Sequence, residues 1–105
     1  MVRKVYNKLV RDKIIEIIEK DNCKPVYHVA DDSEYLEELY RKLIEETKEF
    51  KEDPSEKELS DILEVVYALR DYYNLDKDSV EKMRLNRASK RGSFKKKIVL
   101  EYVDE

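Results

Sequence analysis

Two acidic strings carry the chemistry this sequence could perform. Glu45-Glu46-Thr47-Lys48-Glu49 repeats Glu at a spacing of three, and Glu58-Leu59-Ser60-Asp61 does the same with Glu and Asp. Residues three apart share a helix face, so each string offers a pair of hard oxygen ligands on one side. Asp53-Pro54 between them marks a turn. Glu49 and Glu58 lie at equal distance from that turn, and so do Glu46 and Asp61. In an antiparallel helical hairpin, equal distance means equal height. Glu49 is therefore expected to face Glu58, and Glu46 to face Asp61, at two levels roughly 4.5 Å apart. Axes about 8–10 Å apart leave a gap that carboxylates can span to a shared ion. Such acids would repel one another and hold protons unless a cation sat among them. An all-oxygen acidic site suits Mg²⁺, with Mn²⁺ as the alternative ion. The competing reading is an ordinary salt-bridged surface, with Lys42, Lys48 and Lys57 as partners.

The helical wheel sorts these acids. At about 100° per residue, Glu46 and Glu58 each lie about 70° from the apolar stripe of their helix. Glu46, Glu49, Glu58 and Asp61 border the core, whereas Glu45 and Glu64 point toward solvent. A metal–phosphate site also wants cations for the remaining phosphate charge. One basic cluster is Lys8, Arg11 and Lys13, and the other runs from Arg84 to Lys95 around Gly92.

The elements that must position these groups follow from periodicity and caps. Residues 1–10 read as extended or irregular. Ile14, Ile15, Ile17 and Ile18 mark a short helix from Arg11 to about Lys20. Residues 24–30 read as a short strand. Asp31 and Glu34 form a capping box for a helix to about Glu52, with Leu36, Leu39, Tyr40, Leu43, Thr47 and Phe50 on its apolar face. Asp53 caps the next helix, which runs to about Tyr73 with Leu59, Ile62, Leu63, Val66, Leu69 and Tyr73 inward. Asn74 suits the position after its end. Asp78 and Glu81 box a fourth helix that stops at Gly92. The tail from Phe94 to Tyr102 partly alternates and reads as a strand able to pair with residues 24–30. The fold expected is all-α: a bundle of about four helices with a minor two-stranded β element, as one domain over residues 1–105.

Composition bounds the alternatives. Of 105 residues, 45% are charged and 41% apolar, which leaves enough for a core. The net charge of −3 disfavours a broad nucleic-acid surface, and no apolar run approaches membrane-spanning length. A single Cys excludes an internal disulfide, and a single His excludes His-based metal sites. His28 and Cys23 read as bystanders. A single Gly disfavours a Gly-rich phosphate loop. A soluble cytoplasmic protein is expected.

Glu46-x-x-Glu49 with Glu58-x-x-Asp61 resembles the metal-binding pattern of the all-α nucleoside triphosphate pyrophosphohydrolases. That superfamily includes MazG, phosphoribosyl-ATP pyrophosphohydrolase and the dimeric dUTPases. The opening Tyr6-Asn7-Lys8-Leu9-Val10-Arg11-Asp12-Lys13-Ile14 looks like the start of a small MazG-like subfamily. So do Leu43-Ile44-Glu45-Glu46, Glu58-Leu59-Ser60-Asp61-Ile62-Leu63-Glu64-Val65 and Arg91-Gly92-Ser93-Phe94. The likeness covers most of the chain. Two departures stand out: Ile15 where the subfamily usually has Pro, and only residues 50–57 between the acidic motifs.

The resemblance implies Mg²⁺-dependent cleavage of a nucleoside triphosphate between the α and β phosphates, giving the monophosphate and pyrophosphate. By motif, Glu46, Glu49, Glu58 and Asp61 would ligate the ion, and Glu45 would orient the attacking water. Lys8, Arg11, Lys90 and Arg91 would be phosphate ligands. A homodimer or homotetramer is implied, because domains of this superfamily are too small to close the site alone. A role in cleaning the nucleotide pool is the expected use. Phosphoribosyl-ATP hydrolysis and a non-enzymatic helical interaction module are the alternatives.

Overall fold

The structure, a computed structural model, describes residues 2–105. Its helices are α1 (Ile14–Lys20), α2 (Asp32–Glu52), α3 (Glu56–Tyr72) and α4 (Lys77–Arg91). The chain forms two compact units, Met1–Tyr73 and Asn74–Glu105.

The first unit is built on the α2–α3 hairpin. Asp31 caps α2 as its sequence demands, its carboxylate accepting from the Glu34 amide at 2.8 Å. Leu39 and Val65 are the buried apolar residues where the two helices meet. Leu36, Leu43, Phe50, Ile62 and Leu69 are half-buried around them. Tyrosines close the open end of the hairpin. Tyr35 packs on Tyr72 with ring centroids 6.1 Å apart, and Tyr72 meets the edge of Tyr73 at 5.2 Å. The Tyr40 and Tyr73 hydroxyls share a hydrogen bond of 2.9 Å.

The inward face of α3 differs from the expected stripe. Glu58, Asp61, Ile62, Val65, Leu69 and Tyr72 form it, while Leu59, Leu63, Val66 and Tyr73 are exposed. This helix is apolar on more than one side, so periodicity does not choose among its faces. The contact with α2 selects the face carrying the two acids.

Three helix starts also move. The N-cap of α3 is Ser55, whose hydroxyl accepts from the Glu58 amide at 3.3 Å, not Asp53. The cap of α1 is Lys13, without a side-chain hydrogen bond, so the helix begins at Ile14 and Asp12 precedes it. In the second unit Asp76, not Asp78, caps α4 by accepting from the Ser79 amide at 2.8 Å. Glu81, expected in that capping box, instead pairs with Arg84. Asn74 takes a left-handed conformation, with φ 54°, directly after the Tyr73 cap of α3. Gly92, with φ 85°, ends α4.

The expected two-stranded β element is absent among the described residues. Residues 24–30 are irregular. Pro25 supplies no amide for a ladder, and Val26 and Val29 are fully open to solvent. The tail is irregular too, because Lys97 adopts φ 58° and donates its amide to the Phe94 carbonyl, turning the chain where an extended strand was expected. No helix among the described residues is long and apolar enough to cross a membrane.

Candidate metal centre

Burial of one carboxylate defines the site. Glu46 lies on the inner side of α2 and is only 7% exposed. Across the hairpin, α3 presents Glu58 and Asp61 one turn apart, both half-buried. Glu46, Glu58 and Asp61 each place a carboxylate oxygen within 4.8 Å of the others. Glu46 and Asp61, at equal distance from the turn, come together, but Glu58 joins them without Glu49, which was expected to face it.

Two oxygens of this group have no partner. Oε2 of Glu46 and Oε2 of Glu58 are both buried without a hydrogen bond. A buried carboxylate oxygen left unpaired is costly, and a bound ion, an ordered water or a catalytic role is what ordinarily accounts for one. Burial pushes the Glu46 carboxyl above its ordinary range, and the neighbouring Glu49 carboxyl raises it further. Lys42 opposes this from 3.5 Å. Glu49 is half-buried beside Glu46 but lies outside the converging three.

Four cations surround the acids. Lys42 reaches Glu46, and Lys57 lies 3.3 Å from Glu58 and 3.8 Å from Asp61. Both belong to the helices that carry the acids. The other two come from the irregular N-terminal segment. Lys8 lies 3.0 Å from Glu45, and Arg11 lies 2.8 Å from Asp61. Lys8 holds the Glu45 carboxyl below its ordinary range, first through its hydrogen bond. The same bond raises the Lys8 ammonium. Glu45, expected to face solvent, is thereby half-covered.

The two N-terminal residues expected to hold phosphate thus sit on carboxylates. Neither pairing has a local sequence signal, since the partners lie 37 and 50 residues apart. Lys90 and Arg91 form the last turn of α4 in the second unit, where both are exposed. Lys48, offered as a salt-bridge partner for the acids, is exposed. His28 pairs with Glu34 at 2.9 Å, and Cys23 is free and exposed.

The donor set suits a hard divalent cation. It is all oxygen, drawn from two rigid helices, and it contains buried lone pairs that no protein group uses. A salt-bridged surface accounts for Lys42 and Lys57 but leaves those two oxygens unexplained. Comparison with family models, with curated proteins and with solved structures finds no match to this chain.

Proposed function

We propose that this protein is a Mg²⁺-dependent nucleoside triphosphate pyrophosphohydrolase that releases the nucleoside monophosphate and pyrophosphate. The observation that carries the reading is the convergence of Glu46, Glu58 and Asp61 around buried, unpartnered carboxylate oxygens. The acidic motifs and the resemblance they bear to MazG-like proteins supply the reaction class.

Glu46, Glu58 and Asp61 would hold the ion, with Glu49 beside them. When bound, Mg²⁺ supplies charge for phosphate oxygens and lowers the pKa of a coordinated water. The chain's own residues do the rest. Lys42 and Lys57 balance the acids from within their helices, which keeps the carboxylates in place. Lys8 holds the Glu45 carboxyl below its ordinary range. So weak a base orients a water through an accepted hydrogen bond better than it removes the proton. Within the first unit, Lys8 and Arg11 are the cations offered to the polyphosphate.

The active form proposed is a homodimer or homotetramer. The first unit buries little of its apolar surface. Leu59, Leu63, Val66 and Tyr67 on α3 are each more than 40% exposed, as are Tyr40 and Ile44 on α2. A chain this short gains stability by covering such a face. Tyr35, Tyr40, Tyr67 and Tyr72 are also the aromatic groups on which a base could stack, although Tyr35 and Tyr72 pack on one another. A role in clearing the nucleotide pool is the use this chemistry suits.

The test is pyrophosphate release from a panel of ribo- and deoxyribonucleoside triphosphates with Mg²⁺, comparing the protein with Glu46→Gln. Release from at least one nucleotide, lost in the variant, is expected. No release from any nucleotide overturns the proposal.

A further inference from the structure

The acidic centre is already almost neutral without an ion. Four carboxylates (Glu45, Glu46, Glu58 and Asp61) face the four cations that reach them, and Glu49 lies beside Glu46. A divalent ion entering this set competes with the resident cations for the same carboxylate oxygens. The Lys57 side chain is itself 78% exposed, but Lys42 and Lys57 remain near the acids even when swung out, because each is anchored one turn from its partner on the same helix. Lys8 and Arg11 can leave. They belong to a segment without helix or strand, in which Leu9 alone among residues 2–13 is even half-buried. Their side chains are more than half exposed. Of the two, only Arg11 touches a member of the converging three: it donates to Oδ1 of Asp61.

We infer that the N-terminal segment is a tethered counter-ion, and that a divalent cation entering at Glu46, Glu58 and Asp61 displaces Arg11 from Asp61. The inference rests on the proposed metal centre and adds a regulatory element to it. In the ion-free protein Arg11 neutralises Asp61 and competes with the metal. Once displaced, its guanidinium is free to meet an anion, and its fork geometry suits phosphate. Lys8 stays on Glu45, outside the three, and acts as the hinge of the strap. The same exchange makes the segment looser when the ion is bound, the opposite of what a structural clamp would do.

The experiment is Mn²⁺ binding by electron paramagnetic resonance, at low ionic strength, to the full chain and to Arg11→Ala, Arg11→Lys and Lys13→Ala. It is paired with limited tryptic proteolysis within residues 2–13, with and without Mn²⁺. Removing one exposed competing ion pair is expected to tighten Mn²⁺ binding about two- to fivefold in Arg11→Ala. Arg11→Lys is expected to stay near the parent, and so is Lys13→Ala, which removes a charge that reaches none of the three acids. Cleavage within residues 2–13 is expected to accelerate when Mn²⁺ is added. Unchanged or weaker binding in Arg11→Ala overturns the strap and leaves the metal centre standing, as does an equal gain in Lys13→Ala. Slower cleavage with Mn²⁺ overturns it as well. Failure of the unaltered protein to bind Mn²⁺ removes the metal centre itself, and the strap with it.

Discussion

Replacing Glu46 by Gln is expected to stabilise the ion-free protein and to make it insensitive to divalent cations. Glu46 is 7% exposed, and one of its oxygens has no partner. Its carboxyl titrates above the ordinary value, because burial and then Glu49 disfavour the ionised form. The sign follows from proton binding. Between the unfolded and folded pKa values the native state holds more protons than the unfolded state. The stabilising contribution is therefore present in acid and is lost as pH rises through the folded pKa. Above its folded pKa the parent carries a desolvated charge, and Gln removes it at almost the same volume. The Gln amide can also donate to Glu49, turning a repulsive contact into a hydrogen bond. Relief of about 1 kcal/mol, the lower end for an unsatisfied buried polar group, is expected. That raises Tm by about 4–8 °C in a domain of this size. Mg²⁺ at ten times its Kd returns about 1.4 kcal/mol to the parent and nothing to the variant. The assay is thermal unfolding followed by circular dichroism, at fixed protein concentration, with chelator and with Mg²⁺. As pH falls through the folded pKa of Glu46, the gap between the two proteins should narrow. A variant less stable than the parent without ions would refute the reasoning, and so would equal Mg²⁺ shifts in both.

Three further outcomes follow from the geometry. Ser55→Ala removes the hydroxyl that caps α3 at the Glu58 amide and should cost about 1 kcal/mol, read as a lower denaturation midpoint with an unchanged slope. Gly92→Ala should cost about 1–3 kcal/mol of local stability, because φ 85° with ψ 174° is a conformation that only Gly adopts readily. No atom lies within 4 Å of the added methyl, so the cost is backbone strain, seen as faster amide exchange in the last turn of α4. Lys8→Ala should return the Glu45 carboxyl toward its ordinary range in a carbon-detected NMR titration. Since the folded pKa of Glu45 is depressed, the stability it contributes is present above the unfolded value and is lost as pH falls through the folded one.

How much of this was legible in the sequence varies with the kind of signal. The long α2 helix was, because Asp31 and Glu34 box its start and the Leu36–Leu39–Leu43 stripe repeats at helical spacing. The meeting of Glu46 with Asp61 was legible from their equal distance to the turn. The face of α3 was not. Leu59, Leu63 and Val66 compete with Val65 and Tyr72, and only packing against α2 decides between them. Cap positions were blurred where several capping residues stand within two positions of one another, as in Asp53-Pro54-Ser55 and Asp76-Lys77-Asp78. The strands were misread because alternation in 24–30 and 94–102 records β-forming side chains but not a partner for their amides. The Arg11–Asp61 pair lay beyond any local pattern.

The most direct measurement of the central claim is phosphorus NMR of the reaction mixture with Mg²⁺, in water enriched in oxygen-18, using the nucleotide the panel selects. Two products are expected, the nucleoside monophosphate and pyrophosphate, one of them carrying the heavy oxygen and so marking the phosphorus that is attacked, with neither formed by Glu46→Gln. Inorganic phosphate with the nucleoside diphosphate would contradict the claim, as would product formation that survives the loss of Glu46.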